Sequence, residues 1–118
     1  MPKTLAAAVL VLVALSPVAG QQRRVITEHD LMAFVWTADP QMSPDGTQVV
    51  FTRVVVNQAK DDYETSLWLV PSTGASAPRP LTAGPRDTSP RWSPDGKTLA
   101  FVRAVEKDGK TQPPQIYV

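Results

Sequence analysis

At 118 residues, 42% hydrophobic and 19% charged, the chain has the composition of one globular domain at most. With a net charge of +1, nothing in the composition suggests a nucleic-acid or anionic-membrane partner, both of which call for concentrated positive charge. The absence of cysteine removes disulfides, thiolate metal sites and a thiol nucleophile, while twelve prolines and six glycines favour turns and short strands over long helices.

Residues 1–20 carry the three-part pattern of a secretory signal. Lys3 gives a short positive start, Leu5 to Leu15 is an unbroken apolar run, and Ser16-Pro17 breaks the helix before the small residues Val18-Ala19-Gly20. Cleavage is expected after Gly20. The apolar core is too short to span a bilayer of about 30 Å, so a stable membrane anchor is not expected. Removing Lys3 with the leader leaves basic and acidic residues equal in number. The mature chain is expected to work outside the cytoplasm, in the periplasm or the medium.

Residues 21–39 form a lead-in. Thr27-Glu28-His29-Asp30 followed by Leu31-Met32-Ala33-Phe34-Val35-Trp36 predicts a short helix over 27–36. Thr27 is its cap, with acidic residues in the first turn where the helix dipole favours them. His29 is the chain's single histidine and reads as a surface helix residue.

From residue 40 the chain repeats itself. Pro40-Gln41-Met42-Ser43-Pro44-Asp45-Gly46 is echoed fifty residues later by Pro90-Arg91-Trp92-Ser93-Pro94-Asp95-Gly96. Val49-Val50-Phe51-Thr52-Arg53 is then matched by Leu99-Ala100-Phe101-Val102-Arg103, and Leu67-Trp68-Leu69-Val70 by Ile116-Tyr117-Val118 at an offset of forty-nine. A period of about 40–50 residues is typical of β-propeller blades. In each Ser-Pro-Asp-Gly, proline presets φ, aspartate suits the next turn position and glycine takes the left-handed conformation. Ser43 and Ser93 therefore read as turn formers rather than nucleophiles. Asp45 and Asp95 lack the alternating oxygen ligands of a calcium loop.

The first blade is expected over residues 40–82, with strands at 41–43, 49–55, 66–70 and 79–82. The second begins near Ser89 and reaches residue 118 inside its third strand. Near-continuous apolar strands at 49–56 and 98–105 suit a sheet buried on both faces. The aromatic and apolar pairs Trp68/Tyr117 and Met42/Trp92 occupy equivalent positions and are expected to pack between blades. Residues 57–65 and 106–114 read as polar linkers, residues 72–78 as a small-residue turn, and Asp61-Asp62-Tyr63-Glu64 as a solvated loop. The fold class is thus all-β: a partial propeller of fewer than two blades at residues 40–118, preceded by a signal peptide and a short helix.

Ser-Pro-Asp-Gly-Lys-Thr-Leu-Ala-Phe-Val-Arg at 93–103 resembles the blade motif of TolB-type propellers and of the N-terminal propellers of prolyl oligopeptidase-family serine peptidases. The lead-in Ile26-Thr27-Glu28-His29-Asp30-Leu31 running through Asp39-Pro40-Gln41-Met42 tilts the resemblance to the peptidases, in their acylaminoacyl-peptidase-like and dipeptidyl-peptidase-like branches. So do Ser66-Leu67-Trp68-Leu69-Val70, Pro80-Leu81-Thr82 and Ser89-Pro90-Arg91-Trp92.

The resemblance implies a parent enzyme with a C-terminal α/β-hydrolase domain carrying a serine, a histidine base and an acidic partner. Its propeller would admit mainly short or unstructured peptides. No Gly-x-Ser-x-Gly occurs in the chain, so no catalytic, cofactor-binding or metal-binding residue is assigned, no cofactor is expected, and the chain by itself should be inactive. Closed propellers use about four to eight blades. The expectation is therefore an N-terminal fragment of an exported serine peptidase, whose partners would be the remaining blades, the hydrolase domain and, through it, peptide substrates. The alternatives are a non-enzymatic TolB-like envelope propeller that binds proteins, and a short secreted β protein that dimerises through open strand edges.

Overall fold

The computed structural model describes residues 24–118; the expected leader, residues 1–20, lies outside the described residues. The first element is α1 (Glu28–Met32). Thr27 sits at the N-cap in extended backbone, and the Asp30 carboxylate accepts its amide N–H at 2.8 Å and its hydroxyl at 2.9 Å. The helix stops at Met32, short of the expected Trp36, because Val35 and Trp36 are drawn into a sheet. Their partners there are Val55 and Val54. A β-branched and an aromatic residue pair readily in a strand, and a ten-residue helix is marginal without a buried face.

Two antiparallel sheets follow. β1 (Val35–Met42), β2 (Gln48–Asn57), β3 (Asp62–Pro71) and β4 (Arg79–Pro80) lie in sequential order in the first. β5 (Asp87–Trp92) and β6 (Leu99–Arg103) open the second. A small hairpin, β7 (Glu106–Lys107) and β8 (Lys110–Thr111), precedes β9 (Gln115–Tyr117), which completes the second sheet beside β6. Among the described residues the architecture is all-β with one short helix and no closed barrel, in keeping with a partial propeller.

The repeat is visible in the geometry. Both Ser-Pro-Asp-Gly turns make the same hydrogen bonds. The Ser43 hydroxyl donates to Asp45 at 2.6 Å and accepts the Gln48 amide at 3.0 Å; Ser93 does the same with Asp95 at 2.5 Å and Thr98 at 3.0 Å. Gly46 (φ 73°) and Gly96 (φ 69°) take the left-handed conformation that sequence reasoning asks of them. The inner strands also share a bulge. Pairing shifts between Ala38 and Gln41 in β1, and between Thr88 and Arg91 in β5. In each, a non-glycine residue with positive φ, Asp39 (47°) or Ser89 (54°), precedes a proline.

Several expected boundaries move. The inner strands start at Val35 and Asp87, ahead of residues 40 and 89. Residues 57–65, expected as a linker, are mostly strand: β2 and β3 stay in register out to Asn57 opposite Asp62, leaving residues 58–61 as the turn. Asp62, Tyr63 and Glu64 therefore belong to β3, where the solvated-loop reading had put them in open chain. Backbone pairing satisfies N–H and C=O groups whatever side chains they carry, so a polar stretch extends a hairpin when its partner strand continues. Residues 106–114 likewise hold the β7–β8 hairpin, closed by Asp108 (φ 53°) and Gly109 (φ 71°), the left-handed pair of a tight hairpin turn.

Alternation gives each blade two faces. In the first blade Val50, Thr52, Leu67 and Leu69 point one way, here called the front, and Phe51, Arg53 and Trp68 point to the back. Val50, Leu67 and Leu69 form the buried core, and Trp92, Leu99 and Phe101 of the second blade pack against it. The second blade thus lays its back face on the front of the first.

Candidate functional site

Two regions concentrate chemistry: the seam between the blades, and the end of the sheets where α1, the β2–β3 turn and the β7–β8 hairpin gather. At the seam the Trp92 indole N–H donates to the Gln41 carbonyl at 3.2 Å, and Arg91 pairs with Asp39 at 2.7 Å. That guanidinium, ahead of a hydrogen bond from Gln41, holds the Asp39 carboxyl below its ordinary value. Arg86 joins the seam at the other end, through an ion pair to Asp62 and a longer approach to Glu106 at 3.8 Å. The Thr65 amide also donates to the Pro85 carbonyl at 2.8 Å.

Inside the seam lies a fully buried carboxylate, Asp87. Arg103 grips it with two parallel bonds, Nε to Oδ1 at 2.6 Å and Nη2 to Oδ2 at 2.7 Å. Burial alone would push the Asp87 carboxyl up. The Arg103 pair, the Thr82 hydroxyl and the Gly84 amide together outweigh it, so the group stays below the usual carboxylate range. Arg103 in turn lies 5.1 Å over each of the Phe101 and Tyr117 rings, which stack with centroids 5.8 Å apart. Gly84 is bare for a reason. A Cβ there would sit 2.5 Å from Asp87 Oδ1, so only glycine lets the backbone approach the carboxylate.

The sheet end holds two recesses divided by Asp62 and Tyr63. One, about 350 Å³, is walled by Leu31, Met32, Phe34, Trp36 and Val56, with Asp61 on its rim. Trp36 meets Tyr63 edge to face at 5.7 Å. The other, about 320 Å³, runs from Arg86 past Thr88 and Val102 to Thr111 and Pro114. An apolar wall with a few carboxylates and one guanidinium has the chemistry to seat a polypeptide, and among the described residues it presents no activated nucleophile beside a base.

The residues singled out from the sequence fall in separate places. Ser43 and Ser93 lie in the two turns, each bonded as a turn former, and Ser43 is buried. Asp45 and Asp95 are held below their ordinary values first by those serine hydroxyls and then by backbone amides. His29 is exposed on α1. Trp68 carries Arg53 over its ring at 5.1 Å, and Tyr117 carries Arg103, so the aromatic equivalence predicted from the repeat extends to a shared cation–π contact. Sequence reasoning missed Asp87, Gly84, Arg86 and the Asp39–Arg91 pair. Asp87 and Arg103 stand opposite each other in β5 and β6, and their only advance signal was a charged residue in an otherwise apolar strand.

No family model matches the chain. Over 98 residues it is 43% identical to the uncharacterized peptidase YuxL of Bacillus subtilis, a match covering 81% of this chain and 14% of that protein. It is 33% identical over 86 residues to dipeptidyl-peptidase 5 of Porphyromonas endodontalis, covering 72% of this chain and 12% of that one. Among solved structures, the acylaminoacyl peptidase of Pyrococcus horikoshii matches 62% of this chain and 11% of its own, with a TM-score of 0.51 and 25% identity. The chain thus spans a small part of the relatives it resembles.

Proposed function

For a chain whose blades are those of a prolyl oligopeptidase-family peptidase propeller, we propose a place among the opening blades of an exported serine peptidase. In that enzyme a separate α/β-hydrolase domain holds the serine, its histidine base and the acidic partner. The blades lie across the approach to the serine and restrict it to short or unstructured peptides. The observation that supports this best is the 98-residue, 43% identical alignment with a peptidase, which runs across both blades and the seam between them. The sheet-end recesses suit the role, because they offer a peptide apolar walls and carboxylates with no competing chemistry of their own.

The test is to read the coding frame beyond Val118, express the whole product and treat it with a serine-directed phosphonate. The expected result is further Ser-Pro-Asp-Gly turns, a Gly-x-Ser-x-Gly elbow, a labelled serine, and cleavage of a short peptide but not of the same sequence inside a folded protein. A frame that yields only blades, with no labelled serine, replaces this reading with a protein-binding envelope propeller.

A further inference from the structure

Three Asp-Gly steps occur in the chain, at 45–46, 95–96 and 108–109. Glycine after aspartate removes the side chain that would shield the peptide nitrogen, so the aspartyl carboxyl is open to attack by the chain's own backbone. All three aspartates are exposed, so exposure does not separate them. The turns differ in how firmly they hold the two reacting atoms apart.

At the two blade turns both atoms are occupied. Asp45 Oδ1 accepts the Ser43 hydroxyl at 2.6 Å and the Thr47 amide at 3.0 Å. Asp95 Oδ1 accepts the Ser93 hydroxyl at 2.5 Å and the Lys97 amide at 3.1 Å. The nitrogens that would attack are engaged too: Gly46 donates to the Ser43 carbonyl at 2.8 Å and Gly96 to the Ser93 carbonyl at 2.9 Å. The serine hydroxyls, then the backbone amides, hold both carboxyls below their ordinary value, which depletes the protonated form from which water leaves. At 108–109 the hairpin pairs Glu106 with Thr111 and Lys107 with Lys110, and its two-residue loop leaves the Gly109 N–H outside the ladder. Every residue from Val105 to Thr111 is exposed, and a Cβ at Gly109 would meet nothing within 4 Å. Asp108 also holds a φ of 53°, which a non-glycine residue gives up when the turn opens. A hairpin of two-residue strands with no buried side chain opens readily.

We propose that Asp108–Gly109 is a self-modification site, at which Asp108 converts to isoaspartate while residues 45 and 95 stay intact. With the hairpin open, the Gly109 nitrogen attacks Asp108 Cγ. The new N–Cγ bond forms, the nitrogen's proton and the carboxyl hydroxyl leave as water, and a five-membered succinimide results. Water then adds to the Asp108 main-chain carbonyl carbon and breaks its bond to the Gly109 nitrogen. The backbone now runs through Cγ and the main-chain carboxylate is free, with mass and oxidation state unchanged. One extra methylene in a two-residue turn takes β7 and β8 out of register. That hairpin carries Glu106, 3.8 Å from Arg86, and Thr111, on the wall of the recess that begins at Arg86. The conversion therefore loosens one wall of the recess as the protein ages and leaves the blades in place.

The test is to age the full chain at mildly acidic pH, with and without urea, and to locate isoaspartate by isoaspartyl methyltransferase labelling and peptide mapping. Under native conditions it should accumulate at residue 108 at least about tenfold faster than at 45 or 95, a ratio within reach of the two hydrogen bonds on each locked carboxylate. In urea the three steps should react at comparable rates. Asp108→Glu should lose the native label, because its longer side chain must close a slower six-membered ring. Hydrogen exchange in the aged wild type should rise at 106–111 and not in β2 and β3. Native label that is spread evenly over the three steps, absent from residue 108 or retained in Asp108→Glu overturns the proposal. A preference for residue 108 that survives in urea overturns its basis in the turns, and unchanged exchange at 106–111 overturns the loosened wall.

Discussion

Thr52 is the place where exchanging one hydroxyl for a methyl should strengthen the fold. The residue is 3% exposed in the centre of β2, and its Oγ1 is buried without a hydrogen-bond partner. A hydroxyl removed from water and left unpaired costs about 1–3 kcal/mol. Valine has nearly the same shape, keeps the β-branch that suits a strand, and puts a methyl where the hydroxyl was. In the second blade Val102 already holds the equivalent position. Thr52→Val should therefore raise stability by about 1–2 kcal/mol, which in a domain of this size moves Tm up by roughly 5–15 °C. Urea titration followed by tryptophan fluorescence reads it directly, because Trp92 sits on the core beside Thr52's strand. Thr52→Ala is the control. It also removes the unpaired hydroxyl but opens a methyl-sized void, so it should fall below the valine variant by about 1 kcal/mol. A valine variant equal to or weaker than wild type refutes the reasoning, since it would mean the hydroxyl has a partner in solution.

Three further outcomes follow from the seam and the turns. Asp87→Asn should destabilise by about 3 kcal/mol, because it leaves the Arg103 guanidinium half-buried against a neutral partner; denaturant midpoints at pH 7 measure the loss. Since the folded Asp87 carboxyl lies below its unfolded value of about 3.9, its contribution is present above roughly pH 4 and disappears as pH falls through the folded value. The gap between wild type and Asp87→Asn should then narrow in acid titrations of stability, and a constant gap would refute the assignment. Gly84→Ala should cost about 2 kcal/mol or more by forcing a methyl against that carboxylate, and the loss should shrink in an Asp87→Ala background, a coupling read by a double-mutant cycle. Ser93→Ala should cost about 1 kcal/mol by leaving the Thr98 amide without its acceptor; denaturant midpoints measure it, and a variant as stable as wild type would contradict the turn-former reading.

What the sequence made legible was whatever is encoded locally. The Ser-Pro-Asp-Gly turns carry their own conformational chemistry, and strands of Val, Phe and Leu at fixed distances after them announce the blades. The offset of forty-nine in the outer strands equates Trp68 with Tyr117, and the matching cation–π contacts follow from that register. The missed features are of two kinds. Some had a local signal that was passed over: Asp108-Gly109 is a hairpin dipeptide, and the shared residue-proline steps at 39–40 and 89–90 mark the bulges. Others had none. Asp39 meets Arg91 across fifty-two residues and Arg86 meets Asp62 across twenty-four, and charge pairs that far apart leave no periodic trace in a chain whose charges are spread evenly.

The contrast between the blades shows why these long-range pairs sit where they do. Arg53 and Arg103 are equivalent residues, and each lies over an aromatic ring on the back of its blade. Only Arg103 has a carboxylate opposite: Asp87 faces it across β5 and β6, while Thr37 faces Arg53 across β1 and β2. A guanidinium pressed into a seam needs an anion to offset its lost hydration. The second blade's pair is thus matched to the buried surface of the seam, whereas Thr37, opposite Arg53, offers that guanidinium no charge. At the seam's rim, Asp39 and Arg91 then select which blade may follow which. A front face offered Gln41 in place of Arg91 would leave the Asp39 carboxylate with a weaker, neutral partner. Apolar packing makes the blades stick, and the unequal distribution of a few charges over a near-identical repeat fixes their order.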